Sequence, residues 1–471
     1  MSERHHITAD VAAIRTAAIA AVQPQLLVAG RLSVRDGALL LDGRPLVPQL
    51  QLDGAGRIVV VGGGKAAAGM AAAVERLLLA AGILPARLAG LVSVPAGCGI
   101  PLERIEVRET RPAGRNMPTP AAEAATREML ALVAGLTPAD LAIVIVTGGG
   151  SALVAAPREG VPLDEKVAVA TFLAAAGADI RGLNTVRQAA SDVKAGGLAR
   201  ACGAGRLLAL VLSDVIGDPL DMIASGPCMP VTPQAAAARL VLERFGAIAA
   251  GIAPRLVARL EADATVAHAA PPSATIGPSW TTPRGCRVDH LLLGSNATAV
   301  EAAAAAVRAA GYEVVVRHAA AAAAETADEV GRRLGAEGLM LAERASRAGR
   351  PLAVVEGGEA VVTLPAVHGR GGRNQQTVVA ALAAVRASGH AWPAGLCIAS
   401  LGTDGEDGPT PAAGGVVDAD VVTAIDRAGL DVERTAARCD AYPLLEAAGG
   451  LIVTGPTGTN VADVRFVLAW P

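Results

Sequence analysis

Strand-like apolar runs alternate with amphipathic, alanine-rich stretches along most of this 471-residue chain. The run "RIVVVGG" leads into a helical pattern from about Ala66 to Ala81, and "LAGLVSVP" has the pattern of the next strand. The strands "LAIVIVTGGG" and "LLALVLSD" each follow a helical pattern, at about Ala121–Val133 and in "NTVRQAASDVKAGGLA". This alternation predicts a parallel sheet with helices packed on its faces.

A proline-rich stretch separates two predicted domains. The segment "HAAPPSATIGPSWTTPRG" has no strong periodicity, so residues 268–288 are predicted as a linker. We expect an amino-terminal α/β domain over residues 1–267 and a smaller α/β domain over residues 289–471. In the second domain, "HLLLGSN" is predicted to open a new strand–helix set, and "PLAVVEGGEAVVTL" to form paired strands.

Composition excludes several classes of partner. The net charge is −3, which predicts no nucleic-acid partner. No uncharged apolar run reaches the roughly 18–20 residues needed to cross a bilayer, so no membrane association is expected. The six cysteines are widely spaced and form no C-x-x-C pair. This spacing favours reduced thiols and a cytoplasmic location.

Lysine is rare in this chain. Of the 41 basic residues three are lysines, which leaves 41 − 3 = 38 arginines. Lys65 directly follows three glycines, where a compact ammonium group fits better than a guanidinium. Its position therefore indicates a functional site in that turn.

Four glycine-rich turns lie beside predicted strands and helices. The first, "VVVGGGKAAAGM", is not a P-loop, because no Ser or Thr follows Gly-Lys, and its dinucleotide fingerprint is incomplete. What remains is a helix N-terminus beside Lys65, and both favour an anion. Because four glycine-rich turns of this kind occur in the chain, the sequence predicts a site for a polyphosphate or a phosphorylated ligand. The predicted contributors are Gly63, Gly64, Gly148, Gly149, Gly150, Ser151, Gly371, Gly372, Asn374, Thr459 and Asn460.

Two aspartates end apolar runs. Asp214 lies in "LVLSDVIGDP" and Asp404 in "IASLGTDGED". Carboxylates near phosphate groups indicate Mg²⁺ ligands or a general base. In "NTVRQAASDVKAGG", Arg187, Ser191 and Lys194 fall on one face of the predicted helix, which either holds a substrate carboxylate or is simply solvated.

From about Val59 to the carboxyl terminus, the chain resembles the glycerate 2-kinases of the MOFRL family, which combine DUF4147 and MOFRL domains. The matching segments, in the family's order, are "VVVGGGKAAAGMA", "TGGGSALVAAP", "LNTVRQAASDVKAGGLA", "LSDVIGDPLDMIASGP", "GGEAVVTLPAVHGRGGRNQQ", "GTDGEDGPTPAAGG" and "TGPTGTNVADV". The resemblance implies an α/β fold with a Rossmann-like α/β/α amino-terminal domain and a smaller mixed α/β MOFRL domain. It also implies that ATP, Mg²⁺ and glycerate meet in an interdomain cleft.

The resemblance places the family's site residues on particular positions of this sequence. Its lysine falls on Lys65, its S-D-V aspartate on Asp214, its G-G-R-N arginine on Arg373 and its G-T-D-G aspartate on Asp404. Its asparagines fall on Asn296 and Asn460. The chain departs from the family in "RPAGRNMPTP", in "RQAASDVKAGG" and at Gln376, and these departures bear on acid specificity.

The activity implied is ATP-dependent phosphorylation of the C2 hydroxyl of D-glycerate, giving 2-phosphoglycerate and ADP. Lys65 and Arg373 are expected to neutralise developing charge. Of Asp214 and Asp404, one is expected to bind Mg²⁺ and the other to orient or deprotonate the hydroxyl, and the sequence leaves this assignment open. Two alternatives stand beside it, an NAD(P)H-dependent hydroxypyruvate reductase and a non-catalytic anion-binding protein. The expected partner is D-glycerate or a similar 2-hydroxy acid, with a homodimer as an open option.

Overall fold

The computed structural model describes residues 2–46, 50–53, 56–112, 117–265, 279–319 and 325–471. Its strands are β1 Leu32–Arg35, β2 Ala38–Leu41, β3 Arg44–Pro45, β4 Ile58–Gly63, β5 Leu88–Pro95, β6 Ile105–Arg111, β7 Leu141–Val146, β8 Arg206–Leu212, β9 Ser279–Thr281, β10 Arg287–Gly294, β11 Glu313–Arg317, β12 Leu352–Gly358, β13 Leu396–Gly402, β14 Gly414–Val417, β15 Leu451–Ile452 and β16 Asp463–Ala469.

The helices alternate with these strands. They are α1 Ser2–Ala21, α2 Pro24–Arg31, α3 Ala67–Ala80, α4 Pro120–Ala134, α5 Gly150–Leu153, α6 Leu163–Ala175, α7 Ile180–Ala189, α8 Gly197–Ala201, α9 Ala235–Arg244, α10 Pro254–Thr265, α11 Asn296–Ala309, α12 Ala327–Ala348, α13 Arg373–Ala387, α14 Ala419–Ala428, α15 Val432–Ala437 and α16 Ala441–Ala448. Short 3₁₀ turns cover Pro85–Arg87 and Ile223–Ser225.

The chain divides into two compact units. The N-terminal unit consists of Leu27–Ser213 and Asp218–Leu293. The C-terminal unit consists of Gly294–Pro471, Asp214–Gly217 and the first 26 residues. This division differs from the boundaries expected from sequence, because α1 packs against α11 of the C-terminal unit. The described part of the expected linker differs as well, since β9 and the start of β10 lie within it.

A seven-stranded sheet in the order β6-β5-β4-β7-β8-β10-β9 forms the centre of the N-terminal unit. The five strands from β6 to β8 are mutually parallel, and β9 is antiparallel to β10. Strands β4, β7 and β8 are buried along their whole length, as expected for a sheet covered on both faces. The strand order reverses between β4 and β7, and the carboxyl ends of strands at such a point are where doubly wound sheets bind ligands.

A mixed six-stranded sheet in the order β11-β12-β16-β13-β14-β15 forms the centre of the C-terminal unit. Strands β11 and β12 are parallel, and the other neighbours are antiparallel. Helices α12 and α13 contribute Val330, Leu334, Val378 and Leu382 to the apolar core under this sheet. The sheet places the ends of β12 and β13 beside the start of β16, and these are the segments that carry the charged residues described below.

Two predicted elements are wrong. The stretch "NTVRQAASDVKAGGLA" is not one helix, because α7 ends at Ala189 and α8 begins at Gly197. Between them, the amides of Ala195 and Gly196 donate to the carbonyls of Ser225 and Gly226 instead of continuing the helix. In "PLAVVEGGEAVVTL" the structure has a single strand, β12, and the second half of the stretch is irregular.

In the part of the chain that the structure describes, no single helix is long and apolar enough to cross a membrane. Residues 7–21 and 24–31 meet the length and hydropathy test only when taken together, as a pair bent by 59°.

Candidate active site

The first glycine-rich turn is shaped by close backbone contact with strand β7. A side-chain carbon added at Gly62 would lie 2.0 Å from the carbonyl oxygen of Ile145, and one at Gly64 would lie 1.8 Å from Oγ1 of Thr147. Both glycines also have positive φ, +141° and +145°, which other residues rarely adopt. Packing between β4 and β7 therefore accounts for these glycines.

The amides of this turn are already hydrogen-bonded within the protein. The amide of Gly64 donates to the Ser93 carbonyl at 3.1 Å, and that of Lys65 donates to the Gly148 carbonyl at 2.8 Å. The amide of Gly150 likewise donates to Thr147 at 3.0 Å. The amides of Gly64 and Gly150 thus face protein acceptors in this structure, and their predicted phosphate-binding role stays a prediction.

Two cationic side chains lie beside Gly149 at the carboxyl edge of this sheet. A carbon added at Gly149 would lie 3.6 Å from Nη2 of Arg111 and 3.8 Å from Cγ of Lys65. Lys65 is half-buried, and Arg111, the last residue of β6, is 5 % exposed. Gly149 itself has φ +78° and leaves this space open. The predicted positive charge of Lys65 is thus joined by that of Arg111.

Sequence reasoning missed Arg111. It lies at the start of "RPAGRNMPTP", which was noted only as a departure from the family pattern. A usable signal was present, since Arg111 follows directly on a run of alternating strand type, "IEVRET". Its approach to Lys65 depends on the order of the strands, which the sequence does not specify.

Lys194 is fully buried and holds two loops together. Its Nζ donates to Oγ and the carbonyl of Ser151, at 2.9 and 3.0 Å, and to the Ala224 carbonyl at 3.3 Å. Burial, together with the nearby charges of Lys166 and Arg187, lowers the pKa of Lys194 well below its usual value. These three contacts hold the Lys194 side chain against protein acceptors, and its predicted ligand-binding role stays a prediction. Lys194 fixes the Ser151 turn.

The backbone next to the Lys194 contacts is strained. Ala224 and Ser225 both have positive φ, 50° and 62°, and Gly226 follows at 64°. The hydroxyls of Ser151 and Ser225 lie 3.1 Å apart. Left-handed conformations of non-glycine residues cost about 1–2 kcal/mol each and are found where surrounding contacts enforce them. The Lys194 ammonium supplies such a contact through the Ala224 carbonyl.

Arg187 remains open to an external anion. Among the residues that the structure describes, its guanidinium has no hydrogen-bond or ion-pair partner. Burial lowers its pKa from the usual value. Arg187 lies on α7, whereas Ser191 and Lys194 lie beyond that helix, so the predicted shared helical face is wrong. The predicted role of Arg187 itself in binding a carboxylate stays a prediction.

Arg373, at the start of α13, is held by two carboxylates of the C-terminal unit. Its Nε and Nη2 donate to Asp463 at 2.8 and 3.0 Å, and its Nη1 donates to Glu359 at 3.0 Å. Asp463 is fully buried, whereas 32 % of the Arg373 side chain is exposed. The guanidinium is therefore fixed in one orientation with an exposed edge.

Glu359 is a second residue that sequence reasoning missed. It follows β12, beside Arg373. Burial of its carboxyl group raises the pKa of Glu359, the charges of Asp463 and Asp404 raise it further, and Arg373 partly offsets the shift. The signal available in the sequence was an acid directly after the apolar run "LAVVEGG".

Asp214 and Asp404 both lie in the C-terminal unit and are both half-buried. Nδ2 of Asn460 donates to Oδ2 of Asp214 at 3.4 Å. Oδ1 of Asp404 accepts from the amide of Glu406 at 3.1 Å. Asn460 therefore contacts one of the two candidate acids, and its predicted role in binding a ligand stays a prediction.

The N-terminus of α13 is occupied by a carboxylate of the protein. Asp407 accepts from the amides of Asn374 and Gln375 at 3.0 and 2.9 Å, and from Nε2 of Gln375 at 2.9 Å. Burial raises the pKa of Asp407 to about 6, although these hydrogen bonds oppose the shift. A carbon added at Gly372 would lie 2.3 Å from Asp407. Asp407 therefore occupies the place where a phosphate was expected.

Three predicted binding residues are buried in hydrogen bonds within the C-terminal unit. Nδ2 of Asn296 donates to the carbonyls of Val461 and Asp463, both at 2.9 Å. Nδ2 of Asn374 donates to Asp463 at 3.1 Å, and Oγ1 of Thr459 donates to the Val22 carbonyl at 2.6 Å. These donor groups bond to protein atoms in this structure, and the predicted contacts of the three residues with a ligand stay predictions.

Comparisons with known proteins identify the family of this chain. A family model described as a domain of unknown function, DUF4147, matches residues 10–261, and the MOFRL family model matches residues 352–463. A relative named glycerate 2-kinase, from Pyrococcus horikoshii, is 30 % identical over 96 % of this chain and 94 % of its own. The chain belongs to the glycerate kinase family. A crystal structure of a family member, the glycerate kinase of Thermotoga maritima, has a TM-score of 0.76 and 30 % identity, covering 99 % of this chain and 100 % of its own.

The family also contains a protein with a different name. A relative from Agrobacterium vitis, 34 % identical over 88 % of this chain and 87 % of its own, carries the provisional name hydroxypyruvate reductase. The α/β fold and the family predicted from sequence are confirmed.

Proposed function

We propose that this chain transfers the γ-phosphate of ATP to the C2 hydroxyl of D-glycerate, giving 2-phosphoglycerate and ADP. The observation that supports it is the pair of cations, Lys65 and Arg111, beside Gly149 at the point where the strand order reverses. Phosphoryl transfer depends on positioning and on neutralising phosphate charge, and this pair offers both. The name of the Pyrococcus horikoshii relative supports the choice of glycerate and of C2.

Each charged side chain of the proposed site has its own role in phosphoryl transfer. Lys65 and Arg111 contact phosphate oxygens, and Arg187 binds the glycerate carboxylate through its unused donors. Arg373, fixed by Asp463 and Glu359, is assigned the neutralisation of charge that develops in transfer. One of Asp214 and Asp404 accepts or orients the C2 hydroxyl proton.

The acids of the C-terminal unit fit Mg²⁺ by donor type. Among the described residues, no group of three His, Cys, Asp or Glu side chains is placed to hold a metal alone. Mg²⁺ in kinases is held by one or two carboxylates together with phosphate oxygens and water, which agrees with a pair of acids. Whichever of Asp214 and Asp404 does not act on the C2 hydroxyl would hold the ion, which neutralises phosphate charge when bound.

The decisive experiment is product analysis. Purified protein with D-glycerate, ATP and MgCl₂ should release ADP and give a product phosphorylated at C2 by phosphorus NMR. Phosphate at C3 would correct the regiochemistry, and no ADP release above a no-glycerate control would overturn the proposal. A cytoplasmic location and a homodimer stay predictions, tested by fractionation and by light scattering.

The reductase name of the Agrobacterium vitis relative makes hydroxypyruvate reduction the alternative. The structure disfavours it, because β5 ends in "VSVP" without the carboxylate that would bind a nucleotide ribose. Following NADH absorbance with hydroxypyruvate, in parallel with ADP release, separates the two. Calorimetry then tests the anion-binding alternative, which predicts ADP binding that Mg²⁺ leaves unchanged.

A further inference from the structure

The first helix of the chain is an integral part of the C-terminal unit, although more than 270 residues separate α1 from α11. Ile14 and Ala18 of α1, and Val22 directly after it, are spaced four residues apart and fully buried, so this face of the helix is covered by protein. At the other end of this interface, Oη of Tyr312 donates to Asp10 at 2.9 Å. Helix α1 is thus attached near its middle, through Asp10, and along the buried face that follows.

The end of α1 is bonded to the loop that carries "TGTN". Oγ1 of Thr459 donates to the Val22 carbonyl at 2.6 Å, and Nε2 of Gln23 donates to the Thr457 carbonyl at 3.1 Å. Thr459 is 1 % exposed. The loop and the helix end therefore hold each other at a place closed to water.

The same loop holds both acids of the proposed site. The Thr457 amide donates to the Asp404 carbonyl at 3.2 Å, and its hydroxyl donates to the Thr403 carbonyl at 2.6 Å. Three residues on, Nδ2 of Asn460 reaches Asp214. A hydrogen-bonded path thus runs from the end of α1 through residues 457–460 to Asp404 and Asp214.

We propose that Thr459 and Gln23 are positioning residues, through which α1 sets the placement of Asp404 and Asp214 for phosphoryl transfer. The inference rests on the proposed function, since it assigns the acids to that reaction. The physical reason is that misplacement of a reacting group by about 1 Å can lower a rate by roughly 10²-fold. Loss of the Thr459–Val22 hydrogen bond frees the loop without removing any group that touches substrate.

The test compares variants that each change one contact of α1. Thr459→Val keeps the side-chain shape but loses the hydroxyl, and Thr459→Ser keeps the hydroxyl. Tyr312→Phe loses the hydrogen bond to Asp10, about three turns before the end of the helix. We expect Thr459→Val to lower kcat by roughly 10-fold or more with KM for glycerate little changed. Thr459→Ser should restore kcat, and Tyr312→Phe should lower Tm but keep the wild-type kcat.

A second readout does not depend on activity. Hydrogen–deuterium exchange of peptides covering residues 401–408 and 455–462 should be faster in Thr459→Val than in wild type, and unchanged in Tyr312→Phe. Equal kcat values for Thr459→Val and Tyr312→Phe, or unchanged exchange in the two peptides, would overturn the proposal. A wild-type protein without glycerate kinase activity, but with the predicted exchange pattern, would instead overturn the proposed function and confine the inference to the loop's placement.

Discussion

Arg373 and Asp463 form a two-point ion pair, with nitrogen–oxygen distances of 2.8 and 3.0 Å, and the carboxylate is completely buried. Arg465 lies farther from the same carboxylate, at 3.9 Å. Removing the Arg373 guanidinium leaves a buried charge with weaker compensation. Stability and activity therefore both depend on this pair.

We predict that Arg373→Ala lowers kcat by roughly 10²–10⁴-fold and costs about 3–5 kcal/mol in unfolding free energy. Arg373→Lys should recover little activity, because lysine cannot form the two parallel hydrogen bonds. Urea unfolding and steady-state kinetics measure both effects. Arg386→Ala is the matched control on α13, since its partner Asp426 is exposed and the pair contributes less than about 1 kcal/mol. Equal losses in both variants would contradict the prediction.

Replacement of Lys65 or Arg111 should weaken phosphate binding. We expect Lys65→Ala to lower kcat by roughly 10²–10⁴-fold, and Arg111→Ala to raise KM for ATP, because each loses one cation beside Gly149. Kinetics with varied ATP at saturating glycerate separate these effects. Arg76→Ala, an exposed position on the following helix α3, is the control and should behave as wild type. Near-wild-type turnover of Lys65→Ala would remove Lys65 from the mechanism.

Substitutions of Gly62 and Gly149 should have different effects, one on folding and the other on ATP binding. Gly62→Ala places a carbon 2.0 Å from the Ile145 carbonyl oxygen, so it should prevent stable folding. Gly149→Ala has room for the methyl group, and its positive φ should cost only about 1–2 kcal/mol. Because the methyl group stands beside Lys65 and Arg111, the folded variant should bind ATP more weakly. Thermal unfolding and calorimetry with ADP measure this. A Gly149→Ala protein with full affinity would show that the ligand lies elsewhere.

Lys166 lowers the stability of the folded protein, and this effect is largest at low pH. Its Nζ is buried and has no hydrogen-bond partner among the described residues, and burial lowers its pKa to about 7. Between pH 7 and 10.5 the unfolded chain binds the proton more readily than the folded one, so this residue makes stability rise with pH across that range. Lys166→Met should therefore stabilise the protein by roughly 2–4 kcal/mol at pH 6.

The gain from Lys166→Met should shrink towards zero as the pH approaches 10.5, where the unfolded lysine also loses its proton. Urea unfolding of both proteins at several pH values measures this. A difference that stays constant with pH would show that the effect of the substitution comes from packing instead of charge.

Much of the fold follows from local patterns. The runs that predict β4, β5, β7 and β8 are continuous apolar segments bounded by turn residues, and each forms the expected strand. Helices α3 and α4 follow from the spacing of their apolar positions. The seven residues between α7 and α8 fail this logic, because they bond to the 225–226 segment, about 30 residues away. Helical periodicity alone does not reveal such a partner.

The candidate site also combines features that the sequence predicts with features that depend on the folded structure. Position along the chain predicts Lys65, Arg373, Asp214 and Asp404 as its charged residues, because each stands at the end of an apolar run or in a glycine-rich turn. The structure shows that Asn296, Asn374, Thr459 and Lys194 are instead held by internal hydrogen bonds. The residue type shows that a side chain carries a donor or an acceptor that can bind a ligand. Whether that group is already bonded within the protein depends on which acceptors folding brings near it.

The sequence by itself determined the α/β class, the family and the turns that carry the chemistry, because these depend on periodicity and on the order of short motifs. Only the tertiary structure decided that α1 belongs with the last part of the chain, that Asp407 occupies the start of α13, and that Arg111 stands beside Lys65. Buried polar groups must find partners, and in a folded chain those partners come from segments far apart in sequence.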